Sequence, residues 1–341
     1  MSINFDTFDD KETLLMGDLL HGLDNNFAKV NSSLTGMEAS IDNIIQQVQT
    51  SELHVYVGSG ITVTATQGSL TATAVSGSNG WAVLKLSSYG NWTIKATING
   101  SVKTQIVNID AVRVYYTSLL SIENMSWNNI NLISTSGMAP NAFKAGDTKT
   151  VTIGGVTTTL IIIGFDHDII TSSGKKAGIT FQLKDCMAQP YPMTNNGDNS
   201  KIWTNCLMRA ETLPSILASM PSDLKGVIKP VTKLTNDGSA NSKVLTSTSD
   251  SLFLLSLSEV FSVSEYWDIS KLEEGKQYSF YASGNSKIKT RSGAYSAWWL
   301  RSPYRVNYSD QYIYFSEVTT IGTSNFATQF TNNGLSFAFC V

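Results

Sequence analysis

Residues 16–48 read MGDLLHGLDNNFAKVNSSLTGMEASIDNIIQQV, with apolar residues at Met16, Leu20, Leu23, Phe27, Val30, Leu34, Met37, Ile41, Ile44 and Val48 in alternating steps of four and three. That spacing is a seven-residue repeat, which on a helix aligns the apolar side chains into a narrow stripe. Polar residues such as Asp24, Asn25, Lys29, Glu38 and Gln46 fill the positions between. A single helix of this kind cannot bury its stripe alone, so the pattern predicts a coiled-coil rod of roughly 50 Å at about 1.5 Å per residue. β-branched residues at both seam positions of the last two heptads point to three strands and hence to a homotrimer. The alternative is a helix packed on the β-structure of its own chain. Gly22 and Gly36 each weaken the helix by about 1 kcal/mol relative to alanine.

Outward from the rod, composition sets the class. Charged residues make up only 15% of the 341 residues and hydrophobic ones 42%, which predicts that β-structure dominates. A net charge of −3 without basic runs argues against nucleic acid and against anionic lipid, because both need clustered Lys and Arg. The acidic opening MSINFDTFDDKETLL lacks the pattern of a secretory signal, and no apolar run suits membrane insertion. Cys186, Cys206 and Cys340 are odd in number and widely spaced, which predicts buried thiols in a chain made in a reducing cytoplasm.

From Leu53 the period changes to two. LHVYV, ITVTA, LTATAV, WAVLKL, WTIKATI and VKTQIVNI are separated by Gly, Ser and Asn turns, predicting a small all-β sandwich over residues 51–115. GSLTATAV, NGWAVLKL, YGNWTIKAT and TQIVNI resemble the immunoglobulin-like or carboxypeptidase-regulatory-like modules of bacterial and phage surface proteins, which implies a spacer. Trp81 and Trp92 are read as core or inter-strand packing.

Residues 116–341 mix strand segments such as TTTLIIIGFDHD, KAGITFQL and VIKPVTKLT with a helical WTNCLMRAETLPSILASM, so an α+β domain is expected. IIGFDHD, KAGITF, WTNCLMR, LPSIL, LLSLSEVF, WWLRSP and NNGLSFAFCV together resemble an uncharacterised domain family found at the C-termini of tail-fibre and surface proteins of Gram-positive phages and prophages. WWLRSP with the terminal FAFC also resembles C-type-lectin-like folds of the formylglycine-generating-enzyme and phage tropism-determinant kind. That resemblance implies a ligand face at YRVNYSDQYIYF and TSNFATQFTNN.

The residue types agree with it. Tyr304, Arg305, Asn307, Tyr308, Ser309, Asp310, Gln311 and Tyr312 combine rigid amphipathic rings with short polar groups, a mixture that suits sugars. The competing reading is an exposed hairpin. Asn325, Gln329, Asn332 and Asn333 are either rim contacts or turn residues. Trp298 and Trp299, adjacent on a strand, point to opposite faces, so at most one meets solvent. Arg301 is read as ordering a loop.

Catalysis has weak support. Asp166, His167 and Asp168 suit a hydrogen-bonded corner better than a metal site, and adding Asp198 matches no calcium-loop spacing. Glu259 with Glu265 is the best carboxylate pair for a glycan hydrolase. No G-x-S-x-G is present, and Cys340 alone does not reproduce the cysteine pair of the formylglycine-type enzymes.

The expectation is therefore a polarised, non-enzymatic attachment protein of a phage or phage-tail-like particle, without metal or cofactor. Residues 1–50 would join baseplate or tail proteins and form the trimer, 51–115 would space, and 116–341 would bind a bacterial surface glycan at the tail tip. A purely structural baseplate component is the alternative.

Overall fold

A computed structural model describes residues 10–48, 50–195, 202–237, 244–262, 265, 273–304 and 313–341, without the side chains of 10–16 and 42–48. The seven-residue repeat folds as one 39-residue helix, α1 (Asp10–Val48). Leu20, Leu23, Phe27, Val30, Leu34, Met37 and Ile41 stand 46–66% exposed along it. The side chains of Met16, Ile44 and Val48 lie outside the described residues.

Thr-, Val- and Ile-rich alternation builds the next unit, because β-branched side chains suit a pleated surface. Its strands are β1 (Ser51–Tyr56), β2 (Thr62–Gln67), β3 (Leu70–Val75), β4 (Trp81–Leu86), β5 (Gly90–Ile98), β6 (Ser101–Ile109) and β7 (Val114–Ser118). They form two sheets, β4-β1-β7 and β3-β2-β5-β6, with β1 and β7 parallel. Leu53, Val55, Leu84 and Tyr115 from one sheet meet Val63, Trp92, Ile94 and Val107 from the other in a shared core. The buried Tyr115 hydroxyl accepts the backbone N–H groups of Asp110 and Ala111 at 2.9 and 2.8 Å, tying down the turn before its own strand.

The outer face of the smaller sheet is covered by the C-terminal part. Trp81 packs among Tyr56 and Tyr116, and its Nε1 donates to Asn129 Oδ1 at 3.0 Å. Asn129 lies on α2 (Trp127–Thr135), which is capped by Ser126. Met138, just before α3 (Ala139–Ala142), returns the contact by inserting into the core of the β-unit.

The C-terminal part is organised on β8 (Thr148–Ile153), β9 (Val156–Phe165), β10 (Ile169–Ile170), β11 (Ile179–Leu183), β12 (Val231–Asn236) and β13 (Leu245–Asp250). To these are added β14 (Lys289–Arg291), β15 (Ala294–Ser296), β16 (Trp298–Tyr304), β17 (Tyr314–Val318), β18 (Ser324–Thr328) and β19 (Ala338–Cys340). They pair as β19-β11-β9-β8, β10-β12-β13, β14-β15 and β16-β17-β18. Phe181 and Phe339 stack across β11 and β19, with Trp127 of α2 edge-on to Phe181. Gly178 permits that approach, since a Cβ there would fall 2.3 Å from the Ser134 carbonyl oxygen of α2. The remaining helices are short: α4 (Leu213–Ala218), α5 (Ser222–Lys225), α6 (Leu257–Val260) and α7 (Ser279–Ala282).

This corrects the expected fold class. The chain is mostly β, about 40% strand against 25% helix, in several small sheets behind one N-terminal helix, and neither a coiled coil nor an α+β lectin-like domain describes it. The heptad pattern dictates a stripe on one helix, whereas a coiled coil is a property of several. In the C-terminal part, the expected helix in WTNCLMRAETLPSILASM breaks into a π-turn at Met208–Thr212 and the six-residue α4, whose N-terminus carries Pro214. Among the described residues, no helix is long and apolar enough to cross a membrane.

Candidate functional site

Two places in the C-terminal part gather chemistry: a sealed cluster of charges and a half-open aromatic face. The cluster begins where β9 ends. Asp166 takes a left-handed backbone conformation (φ 47°), turning the chain so that Asp168 points inward at the start of β10. Lys233 approaches from β12, and its Nζ donates to Asp168 Oδ1 at 2.6 Å, Glu259 Oε1 at 2.7 Å and Tyr278 Oη at 3.1 Å. All three ammonium protons are thereby used. Gly164 makes room for the Tyr278 ring, since a Cβ there would lie 2.9 Å from Cδ1.

Arg301, on β16 and fully buried, completes the cluster. Its guanidinium donates to both Glu259 oxygens and to the carbonyls of Leu254 and Glu274 at 2.9 and 2.8 Å. Ser256 N, in a capping box opening α6, donates to Glu259 Oε2 at 2.9 Å. Glu274, also buried, accepts from the Asn236 backbone and the Ser302 hydroxyl.

Burial opposes charge on these acids, yet the adjacent cations outweigh it. Glu259 is held at about 2 by Arg301 and Lys233 despite its burial. Asp168 is likewise held well below the usual range, with Lys233 and His167 overcoming burial. Burial, with Asp168 and Glu259 beside it, pushes the Tyr278 hydroxyl well up. Burial and Asp168 do the same to the Cys340 thiol, which sits 3.3 Å from Asp168 Oδ2.

Chemically this is a clamp. It ties β10, β12, α6, α7 and β16 together through matched charges that solvent and substrate do not reach. The Asp166–His167–Asp168 corner is thus divided. Asp168 belongs to the clamp, while His167 stacks on Tyr278 at 3.8 Å and its Nε2 lies 2.9 Å from the Lys276 carbonyl oxygen. No group of three metal-ligating side chains occurs among the described residues, and Asp198 falls outside them. Glu259 and Glu265 do not share a cleft, for Glu265 sits at the surface with Lys287 at 2.9 Å.

The aromatic face lies on β16-β17-β18. Tyr304 and Tyr314 are register partners, and Phe326 stands beside both, with ring centroids at 5.0 and 5.5 Å. All three rings are half-buried. Arg305, Asn307, Tyr308, Asp310, Gln311 and Tyr312 lie outside the described residues. Asn325 and Asn333 both donate to the nearly buried Glu317 carboxylate and so brace β17. Asn332 is exposed, whereas Gln329 is fully buried and cannot be a rim residue. Trp298 and Trp299 are both sealed, their indole N–H groups donating to the carbonyls of Lys287 and Tyr191 at 2.9 and 2.7 Å.

Sequence reasoning missed Lys233, Glu274 and Tyr278. A signal existed for the first: in V-T-K-L-T the buried face of β12 runs Val231, Lys233, Thr235 while Leu234 faces out. A lysine on the inward phase of a strand demands buried partners.

Residues 177–341, slightly less than half of the chain, match a family described as a domain of unknown function, DUF6273. The match takes in Lys233, Glu259, Tyr278 and Arg301 but begins after Asp168 and after β8 and β9. No curated protein and no solved structure matches the chain.

Proposed function

We propose that the chain is an attachment protein of a phage or phage-tail-like particle that binds a bacterial surface glycan through the β16-β17-β18 face. The observation that supports this most is the trio Tyr304, Tyr314 and Phe326, three half-buried rings side by side on adjacent strands. Pyranose rings have apolar faces that stack on such aromatics, and hydroxyl recognition would fall to the polar residues of 305–312. The sealed clamp also favours binding over catalysis, because its charged side chains are committed to one another.

In this reading α1 joins the particle and the chain acts as a homotrimer. Multiplying weak sites on one assembly raises avidity through effective concentration. The experiment is retention of the purified chain on Gram-positive cells and on isolated cell walls, with release of sugar products measured alongside. Binding that falls several-fold in Tyr314→Ala and in Tyr308→Ala, with unchanged circular dichroism, is expected. Equal retention of those variants, or copurification with baseplate proteins but no wall binding, would overturn the glycan reading. Released sugars would turn it into a hydrolase.

A further inference from the structure

A concavity of about 630 Å³ opens between the β8–β9 hairpin, residues 185–191, α4 and the turn joining β14 to β15. That volume lies within the range of about 300–1,000 Å³ typical of small-molecule sites. Its floor is apolar, with Val156 and Met187 reached by solvent over the buried Leu183, Ile216 and Phe337. Its walls carry neutral hydroxyl and amide groups from Thr157, Thr159, Gln189 and Ser215.

Asp185 is the only charged side chain lining it among the described residues. Its Oδ1 is fixed by the backbone N–H and the hydroxyl of Thr290, at 2.8 and 2.7 Å. Oδ2 accepts no hydrogen bond from the described residues, so a positioned acceptor remains for an incoming donor. Among the described residues no Lys, Arg or His lines the cavity. The nearby Lys289 is buried and donates to the carbonyls of Leu183 and Lys184 at 2.7 and 2.9 Å. An anionic ligand would therefore meet the Asp185 carboxylate with no cation on the described walls to receive it, whereas a hydroxyl-rich neutral ligand finds acceptors above an apolar floor.

We infer that this cleft is a binding site for an uncharged saccharide, separate from the aromatic face and independent of whether that face binds a receptor. Asp185 Oδ2 takes a sugar hydroxyl, Gln189 and the Thr157 and Thr159 hydroxyls take its neighbours, and Val156 and Met187 lie against the apolar ring face.

Cys186 lines the same cleft and reports on it. The full chain would be alkylated with iodoacetamide at mildly alkaline pH, and modification of Cys186 followed by peptide mass spectrometry. Three uncharged probes would be added in turn: the N-acetylglucosamine trimer, maltotriose and a galactose disaccharide. Glycerol-phosphate oligomers serve as the anionic comparison. The expected result is a several-fold slowing of Cys186 modification by at least one neutral probe and none by the anionic one. The slowing should vanish in Gln189→Ala and be weakened in Asp185→Asn, which keeps the acceptor for Thr290. Both variants would be checked for native circular dichroism. Protection by the anionic oligomer, or no protection by any neutral probe, would overturn the proposal. Because the readout sits in the cleft, it is blind to sugar held at Tyr314 and Phe326, and the two readings fail separately.

Discussion

Arg301 and Glu259 meet as a two-pronged ion pair, Nη1 to Oε2 at 2.5 Å and Nη2 to Oε1 at 3.1 Å, with neither side chain more than 2% exposed. A planar guanidinium matches a carboxylate in this way, and an ammonium does not. The pair joins β16 to α6, and Lys233 extends it to β10.

Removing one partner strands the other in the interior. Arg301→Ala should cost about 3–5 kcal/mol, the range for breaking a buried pair. Arg301→Lys should recover little of that loss, because one point charge cannot serve both oxygens and the backbone carbonyls. Urea unfolding of the two variants tests this, and a lysine variant as stable as the parent would show that charge alone suffices.

Acid should dismantle the clamp. Glu259 stands at about 2 in the fold against 4.5 for a free glutamate, and Asp168 is lowered in the same direction. Folded pKa values below unfolded ones mean that the native state binds fewer protons. The stabilisation is therefore present above about pH 5 and is lost as pH falls toward about 2. Urea midpoints measured across that window should drop steeply. Glu259→Gln should be less stable at neutral pH but show a shallower acid slope, and an equally steep slope would place the acid sensitivity elsewhere.

Trp81 couples the β-unit to the C-terminal part. Trp81→Ala deletes its ring contacts with Tyr56 and Tyr116 and leaves Asn129 without the indole donor. A loss of about 3–5 kcal/mol is expected for a buried tryptophan. Calorimetry should resolve two melting transitions in the variant where the parent shows closer coincidence. A single, equally cooperative transition would show that Met138 and its surroundings carry the coupling.

Near neutral pH the three thiols should react slowly in the native protein, with Cys186, at the wall of the cleft, the one open to slow alkylation at higher pH. Burial pushes Cys186 up to about 11 and Cys206 up to about 12, and Cys340 is raised by burial and Asp168. The thiolate is the reactive form, so a disulfide reagent near neutral pH should titrate none of them quickly, and all three after denaturation. One fast native equivalent would contradict the burial.

Much of the architecture was legible because it rests on period and composition. The repeat from Met16 to Val48 marks a helix with one apolar stripe, and TTTLIIIGF marks a strand, observed as β9. The charged clamp was far less legible. Asp168, Lys233, Glu259 and Arg301 are scattered over 134 positions of the chain, and nothing local says that they converge. Gln329 reads like any turn glutamine, yet it is buried where its carbonyl accepts the backbone N–H groups of Met193 and Thr194.

By itself, the sequence determined that the chain is rich in β-structure, that it opens with a striped helix and that its cysteines carry no metal-binding spacing. Those follow from side-chain periodicity and residue type, which act over a few neighbouring positions. Only the tertiary structure decided that Trp298 and Trp299 are both sealed, since the distant segments at Lys287 and Tyr191 come to meet their indoles. It alone decided that Arg301 holds Glu259, and that Asp185 lines a cleft whose described walls carry no cation. Burial and charge pairing depend on which distant segments come together, and no local pattern encodes that meeting.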